Sequence, residues 1–176
     1  GVIWVPALAL GTHADGDGDD YGAGGVTHTQ CAAPGEGYAI VAGDCDNTDS
    51  TVWPGAPELC DGQFNNCSDS SYTSPGAPLN ETDNDVDGYV ECSIDAGGWD
   101  GSVSKAGGDC EDSNASLNPA TLWYRDADSD TYGTSTTTKT QCATPAGFVL
   151  ISGDCDDTES AINPGAAELC DNVDND

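Results

Sequence analysis

The chain has 176 residues, of which 32 are acidic and three are basic, and its formal net charge at pH 7 is −29. Salt bridges cannot neutralise such a chain, and without a lysine- or arginine-rich patch it is not expected to bind nucleic acid. The sequence has no apolar run long enough to span a membrane.

Self-repulsion at this charge opposes a compact state, so the chain is disordered, adapted to high salt, or neutralised by bound cations. Nine cysteines and four tryptophans argue against disorder. Adaptation to high salt would scatter the acids, whereas here they cluster at fixed spacing, which favours cation sites. The cysteines, with abundant Asn, Gly and Pro, indicate an oxidising compartment outside the cytosol.

The chain begins with its most apolar stretch, residues 1–11, which has no equivalent further along the sequence. One interpretation is a core strand of the first repeat. The other is a strand that packs on, or is added to, a neighbouring copy through main-chain hydrogen bonds. Because Gly1 is not a start methionine, we expect a mature product or a piece of a longer chain.

A motif of alternating aspartates then occurs three times, and we call each copy an aspartate loop. Each copy has aspartate at its positions 1, 3 and 5 and tyrosine at position 7. The residues are Asp15, Asp17, Asp19 and Tyr21; Asp83, Asp85, Asp87 and Tyr89; and Asp126, Asp128, Asp130 and Tyr132. Three copies with a constant tyrosine indicate a tandem repeat rather than a chance acidic loop.

A second motif, Gly-Asp-Cys followed by an acid, comes after each aspartate loop and begins at Gly43, Gly108 and Gly153. The outer two copies continue into a Glu-Leu-Cys-Asp tail, at residues 58–61 and 168–171. These motifs predict three repeats. Repeat 1 spans residues 1–77, with the apolar strand and a Ser-, Gly- and Pro-rich linker; a shortened repeat 2 spans 78–120; repeat 3 spans 121–176 and is truncated before its last cysteine.

Three alternating aspartates in a curled loop place their carboxylates around one point, and the carbonyl at position 7 adds a fourth oxygen. This is the opening half of a calcium-binding EF-hand loop. The closing half is missing, because position 12 holds Val26, Ile94 or Thr137 instead of glutamate, and no flanking helices are indicated. We therefore reject an EF-hand but keep its local chemistry.

The Gly-Asp-Cys motifs and the tails supply the other candidate ligands. They are Asp44, Asp46, Asp49, Glu58, Asp61 and Asn65 in repeat 1; Asp109, Glu111 and Asp112 in repeat 2; and Asp154, Asp156, Asp157, Glu159, Glu168, Asp171 and Asn175 in repeat 3. Oxygen ligands select hard cations, and Ca²⁺ accepts the irregular shells that flexible loops form. We expect about four to six Ca²⁺ ions; whether the two motifs share an ion stays open.

With cores this small, each repeat needs disulfides. If each repeat closes its own bonds, the predicted pairs are Cys31–Cys45, Cys60–Cys67, Cys92–Cys110 and Cys142–Cys155. Cys170 is left over, since by analogy with Cys60 its partner falls at position 177; the alternative is a reactive or intermolecular thiol.

The predicted fold class is a set of small tandem repeats stabilised by disulfides and calcium, mostly loop with short β-strands and little or no helix. No segment keeps a helical apolar period beyond about two turns. Short strands are expected at residues 38–41 and 148–151. The threonine-rich run 134–140 fits a strand or an exposed loop, and residues 68–78 are predicted to be a loop.

These motifs resemble the metal-binding repeat of MopE-type bacterial surface proteins. The resemblance rests on Asp126 to Gly133, Cys142 to Phe148, Gly153 to Thr158, Ile162 to Ala166 and Glu168 to Asn175. It covers repeats 1 and 3 nearly end to end and repeat 2 partly; the aspartate loops alone are also similar to thrombospondin type-3 calcium repeats. The resemblance implies metal-binding modules of secreted, cell-surface or adhesin-like proteins. It also raises copper, against which the chain has no methionine and only His13 and His28.

No GxSxG, P-loop or HExxH motif is present, so we do not expect an enzyme. The predicted function is an extracellular or cell-surface calcium-binding structural module of a fibre, stalk or adhesin, which self-associates or continues in tandem. The alternatives are a metal-sequestering or ligand-binding module, and a spacer attached to an enzyme outside this piece. Asn66, Asn80 and Asn114 fit the N-glycosylation pattern and are candidate sites for glycans, although an Asn- and Ser-rich chain also matches this pattern by chance.

Overall fold

The protein is described by a computed structural model covering residues 10–30 and 35–176; the predicted strand at residues 1–11 and Cys31 lie wholly or mostly outside these ranges. Within them the only helix is a single 3₁₀ turn, Leu79–Glu81. The rest is short strand and loop, which confirms that part of the predicted class: mostly loop with short β-strands and little helix. No helix in the described part of the chain is long and apolar enough to cross a membrane.

The described residues form ten short strands. They are β1 Leu10–Ala14, β2 Tyr21–Gly22, β3 His28–Gln30, β4 Tyr38–Ala39, β5 Val41–Ala42, β6 Tyr89–Val90, β7 Ala106–Gly107, β8 Leu122–Arg125, β9 Thr134–Thr140 and β10 Phe148–Val149. The predicted strand at 38–41 is therefore two strands separated at Ile40. The threonine-rich run is a strand, and the linker 68–78 is loop, as predicted.

The chain forms two compact bodies. The N-terminal body comprises Gly1–Thr82 with Ile94–Ser104, and the C-terminal body comprises Asp83–Ser93 with Lys105–Asp176. The N-terminal body contains an antiparallel sheet in the order β3-β1-β4, and the C-terminal body contains one in the order β10-β8-β9. The predicted boundaries of the three repeats, after residues 77 and 120, stay a prediction.

Short parallel pairings connect the two sequence motifs. In the N-terminal body, β2 pairs with β5, with Tyr21 opposite Val41. In the C-terminal body, β6 pairs with β7, with Tyr89 opposite Ala106, and a single bridge joins Gly133 to Ser152. In all three cases the residues that follow an aspartate loop lie against those that precede a Gly-Asp-Cys motif.

The apolar core is small. The buried hydrophobic residues among those described are Ala39, Val52, Ala56, Cys60, Val90 and Trp123. Trp123 also donates its indole N–H to the carbonyl of Gln141 at 2.8 Å. Buried polar groups are as numerous as the apolar ones. Cores of this size supply little hydrophobic stabilisation, so cross-links carry more of the stability.

The predicted disulfide pairs are wrong. Cys45 bonds to Cys67, and Cys110 bonds to Cys142. Cys60 and Cys92 are also in disulfides, while Cys155 and Cys170 are free, exposed thiols. The prediction that Cys170 is unpaired is thereby confirmed, but Cys31–Cys45, Cys60–Cys67, Cys92–Cys110 and Cys142–Cys155 do not form, because at least one member of each pair bonds elsewhere or is free. Disulfides of this kind are typical of an oxidising compartment.

Backbone contacts explain why neither of these two disulfides joins cysteines that are nearest to each other in the sequence. A parallel bridge between Trp53 and Asn66 returns the chain to the Gly-Asp-Cys turn, where Cys67 Sγ lies 3.8 Å from the carbonyl of Gly43. In the C-terminal body, the amide of Gln141 donates to the Thr121 carbonyl at 3.1 Å, so the next residue, Cys142, lies near the second Gly-Asp-Cys motif. The assumption that each repeat closes its own bonds fails at Cys110–Cys142.

Candidate metal centres

The three aspartate loops share one conformation. The first aspartate accepts a hydrogen bond from the backbone N–H three residues on: Asp15 from Gly18 at 2.7 Å, Asp83 from Val86 at 2.8 Å, and Asp126 from Ser129 at 2.6 Å. The donor residue has a positive φ in every loop, as does the residue two further on (Asp20, Gly88, Thr131). The third aspartate accepts the N–H of the tyrosine at 2.7–2.8 Å.

This conformation brings the three carboxylates of each loop together. One oxygen from each aspartate lies within 4.8 Å of the others in Asp15, Asp17 and Asp19, in Asp83, Asp85 and Asp87, and in Asp126, Asp128 and Asp130. We call these the first, second and third centres. Like charges at this separation repel, so a counter-charge would stabilise the arrangement.

Several of these oxygens are buried and have no hydrogen-bond partner. They are both oxygens of Asp17 and Oδ2 of Asp19, Asp44, Asp85, Asp109, Asp128, Asp130 and Asp154. Buried polar atoms are nearly always paired, so these unpaired carboxylate oxygens favour a bound cation.

A carboxylate from the Gly-Asp-Cys motif joins each loop. Burial raises the pKa of Asp44, and the nearby charges of Asp19 and Asp17 raise it further. Burial likewise raises the pKa of Asp154, with contributions from Asp130 and Asp128. In the second centre, burial and the charge of Asp87 raise the pKa of Asp85, to which Asp109 also contributes. The Gly-Asp-Cys motif therefore brings one carboxylate within electrostatic range of each loop, and a shared ion stays a prediction.

The parallel pairings hold the Gly-Asp-Cys aspartate in place; we call the carboxylate of this residue (Asp44, Asp109 or Asp154) the fourth carboxylate of its centre. The amides of Gly43 and Asp44 both donate to the Gly22 carbonyl, at 3.0 and 3.2 Å, and those of Gly153 and Asp154 both donate to the Gly133 carbonyl, at 3.1 and 3.3 Å. In the second centre the amide of Asp109 donates to the Val90 carbonyl at 2.9 Å. These backbone hydrogen bonds hold the Gly-Asp-Cys motif against the residues that follow the aspartate loop. They involve no side-chain oxygen, so the carboxylates stay available.

A comparison with protein families finds a match in three regions of the chain. A model of the Cu-binding MopE family, described as "Putative metal-binding motif", matches residues 44–71, 109–122 and 154–176. These three regions are therefore similar to the MopE-type metal-binding motif, and we call them by that name below. The match begins at the fourth carboxylate of each centre and leaves out the aspartate loops, so the two parts of each centre have different sequence signatures. Comparisons with curated proteins and with solved structures gave no match.

Within the MopE-type motif, the acid after each cysteine caps its own turn. Asp46 Oδ1 accepts the N–H and hydroxyl of Thr48 at 3.2 and 2.6 Å, and Asp156 does the same with Thr158. Glu111 accepts the hydroxyl of Ser113 at 3.2 Å. These hydrogen bonds engage one oxygen of each carboxylate, and a role in metal binding for these residues stays a prediction.

The residue after this acid accepts a hydrogen bond from the backbone of the aspartate loop. Asp112 Oδ1 accepts the N–H of Asn84 at 3.1 Å, and Asp157 Oδ1 accepts that of Ala127 at 2.7 Å. Asn47 does the same for Gly16 at 3.0 Å, so a charge is not required here. Asp157 also pairs with the guanidinium of Arg125 at 3.3 Å. These residues position the loop rather than add unpaired oxygens to it.

The candidate ligands of the tail are also engaged with the chain. Glu58 accepts the N–H groups of Asn65 and Asn66, at 3.1 and 2.8 Å, and Glu168 accepts that of Asn175 at 3.1 Å. Asn65 and Asn175 accept the N–H of Leu59 and Leu169. Asp61 and Asp171 cap the turns at Gln63 and Val173. These contacts build a turn, and the structure does not bring them to the three centres.

Asp49 and its surroundings form a separate acidic group in the N-terminal body. Burial alone would raise the pKa of Asp49, but hydrogen bonds from Thr51 and Gln63 outweigh it and lower the pKa. Burial raises the pKa of Asp100, together with the charges of Asp61 and Asp49. Burial also raises the pKa of Glu81, to about 7, although this carboxylate accepts the N–H of Gly62 at 2.8 Å.

Sequence analysis missed Asp100 and Glu81, because both lie in stretches with no counterpart in the other repeats. It also missed Asp174 and Asp176, which form an exposed group with the predicted Glu168, with oxygens within 4.8 Å of one another. That group contains no buried unpaired oxygen, so the case for a metal site there is no stronger than for any exposed group of acids. The carbonyl roles of Tyr21, Tyr89 and Tyr132, and any role of Glu159, stay predictions.

Proposed function

We propose that the protein is an extracellular calcium-binding structural module in which Ca²⁺ closes three loops, one at each centre. The observation that carries this proposal is the set of buried, unpaired carboxylate oxygens contributed jointly by the aspartate loops and the MopE-type motif. Three centres account for three of the four to six ions expected from the sequence. The remainder would require the tails to release the backbone groups that they now hold.

Calcium fits these centres better than copper does. The unpaired donors are all carboxylate oxygens, which suit Ca²⁺, Mg²⁺ and Mn²⁺ rather than copper. The two histidines make other contacts: His13 Nδ1 lies 2.9 Å from the Gly25 carbonyl, and His28 Nε2 lies 3.1 Å from the Tyr38 hydroxyl. Between the hard cations, Ca²⁺ tolerates six to eight ligands in irregular shells, whereas Mg²⁺ requires a tight octahedron.

A structural role is supported by the way in which cross-links join the motifs. The Cys110–Cys142 bond connects the Gly-Asp-Cys motif of one aspartate loop to the strand region that follows the next loop. Metal ions would stiffen each loop, and the disulfide would stiffen the link between successive loops. Such an array suits a fibre, stalk or adhesin segment exposed to the millimolar calcium of the exterior, with no catalytic role proposed.

Calcium removal tests the proposal. We expect native mass spectrometry to detect at least three Ca²⁺ ions per chain, and thermal unfolding to shift to lower temperature when a chelator is added. A site at a hundred times its Kd contributes about 2.7 kcal/mol, so the loss of three is readily measured. The same melts with Mg²⁺ and Cu²⁺ test the choice of metal. An unchanged melting curve together with the absence of bound ions would refute calcium binding.

A further inference from the structure

The second centre differs from the other two in the described residues because a positively charged side chain contacts one of its loop aspartates. The ammonium group of Lys105 contacts Asp83 Oδ2, and the Asp83 side chain is only 3 % exposed. Counting back three residues from the glycine of each Gly-Asp-Cys motif gives Lys105 here, but Ile40 and Leu150 in the other two motifs. Ile40 and Leu150 are both exposed hydrophobic residues. Among the residues that the structure describes, only this centre therefore has an ammonium group against its first aspartate.

A second internal donor occupies another oxygen of this centre. Asn118 donates its side-chain N–H to Asp87 Oδ2 at 2.8 Å. The corresponding oxygens of Asp19 and Asp130 are buried and unpaired. The residue equivalent to Asn118 is Trp53 in the N-terminal body, where it stacks on Tyr21, and Asn163 next to the third centre, where its amide donates to the Ser160 carbonyl.

These contacts leave the second centre with fewer free ligand atoms. Its buried unpaired oxygens are Oδ2 of Asp85 and of Asp109. The third centre has three such oxygens, on Asp128, Asp130 and Asp154, and the first has four, on Asp17, Asp19 and Asp44. The first aspartate also accepts more hydrogen bonds in the second centre than in the others. The donors to Asp83 are Val86, Asp87, Gly88 and Lys105.

We infer that Lys105 is a tethered cation that competes with metal at the second centre, so that Ca²⁺ fills the first and third centres before the second. This inference rests on the proposed function and adds an order of loading to it. To bind Ca²⁺ with the same ligands as its neighbours, the second centre has to displace an ammonium group from Asp83 and an amide from Asp87. Both displacements, and the repulsion between Lys105 and the incoming ion, lower its affinity.

The order of loading can be measured in the unaltered chain. The amides of Tyr21, Tyr89 and Tyr132 each donate to the third aspartate of their own loop, so their NMR shifts report on one centre each. Metal-free protein is titrated with CaCl₂. We expect Tyr21 and Tyr132 to reach half-saturation at a calcium concentration at least about tenfold lower than Tyr89, a difference of about 1.4 kcal/mol.

Substitution identifies the cause of that order. Lys105→Leu, which introduces the residue found at position 150, should lower the half-saturation concentration at Tyr89 by at least about tenfold. Lys139→Leu is the matched control. It removes the same charge, but Lys139 lies over the Phe148 ring, 4.4 Å from its centroid, and it should leave all three midpoints unchanged. The reverse exchange, Leu150→Lys, should weaken the third centre by a similar factor and does not depend on how well Lys105→Leu folds.

The outcomes separate this inference from the proposed function. If the three amides titrate together, or if Lys105→Leu matches Lys139→Leu, metal binding stands and the tethered-cation inference is overturned. If no amide responds to CaCl₂, both fall. Late loading at Tyr89 that is abolished by Lys105→Leu supports both.

Discussion

Replacing Asp19 by asparagine tests whether the first centre is built for a cation. Asp19 Oδ1 accepts the N–H of Tyr21 at 2.7 Å, and Oδ2 is buried and unpaired. Asparagine keeps the acceptor for Tyr21 and places an amide nitrogen where the unpaired oxygen was. The substitution therefore removes one charge and one metal ligand without removing the hydrogen bond that shapes the loop.

In metal-free protein the substitution should stabilise the fold. Oxygens of Asp15, Asp17 and Asp19 lie within 4.8 Å of one another. Two unit charges at such a distance repel by about 0.9 kcal/mol at the dielectric constant of water, and by about 3.5 kcal/mol at an effective value of about 20. Because the loop is partly exposed, we take the lower figure for each neighbour and expect a gain of about 1–2 kcal/mol in the free energy of unfolding.

With saturating calcium the sign should reverse. The variant lacks one charged ligand, so we expect the calcium affinity of the first centre to fall by at least about tenfold, or about 1.4 kcal/mol. Urea unfolding with chelator and with calcium measures both effects. Asp20→Asn is the control, since Asp20 is exposed, carries the same charge and has a φ of 73°, which asparagine tolerates. Equal destabilisation of Asp19→Asn in both conditions would mean that the triad is a hydrogen-bonded turn and not a cation site.

Three further predictions concern stability and can be measured in urea with chelator present. Val86 is exposed at a φ of 66°, so Val86→Asn should gain about 1 kcal/mol; no gain would show that this loop holds the residue without strain. Opening the bond of Cys45 with Cys67 by replacing both with serine should cost roughly 3 kcal/mol, whereas Cys155→Ser should cost almost nothing. Burial raises the pKa of Glu81 from 4.5 to about 7, so the folded chain binds a proton that the unfolded chain releases. Stability should therefore fall as the pH rises from 4.5 to about 7, and Glu81→Gln should lessen that fall; parallel curves for variant and wild type would contradict it.

Local features of this fold could be predicted because local chemistry decides them. The aspartate loop closes with bonds between residues two to five apart, such as Asp83 with Val86 and Gly88, so its sequence contains nearly all of its geometry. The near absence of helix in the described residues follows from missing periodicity. The sequence of β9 is ambiguous because threonine suits both strands and exposed loops, and its pairing with β8 makes it a strand.

The disulfides could not be predicted in the same way, because their geometry depends on contacts between distant segments. Short sequence separation favoured Cys60–Cys67, but Glu58 holds the amides of Asn65 and Asn66 and turns the chain toward Cys45. Loop closure entropy grows only slowly with loop length, so a separation of 22 or 32 residues costs little more than a shorter one. Contacts made by the folded backbone then determine which thiols meet.

The spacing of the acidic residues in the sequence does not distinguish candidate metal ligands from residues that cap turns. Asp44 and Asp46 are two residues apart in one motif, yet Asp44 keeps an unpaired oxygen beside the loop, while Asp46 caps Thr48. A carboxylate whose oxygens already accept N–H or O–H groups has less to gain from a metal than one that is buried without a partner. Among the described residues only the three centres meet that criterion, and three divalent ions would offset only six of the 29 excess negative charges. The remaining acids are largely turn caps and solvated surface, so the protein would stay strongly acidic with every centre filled.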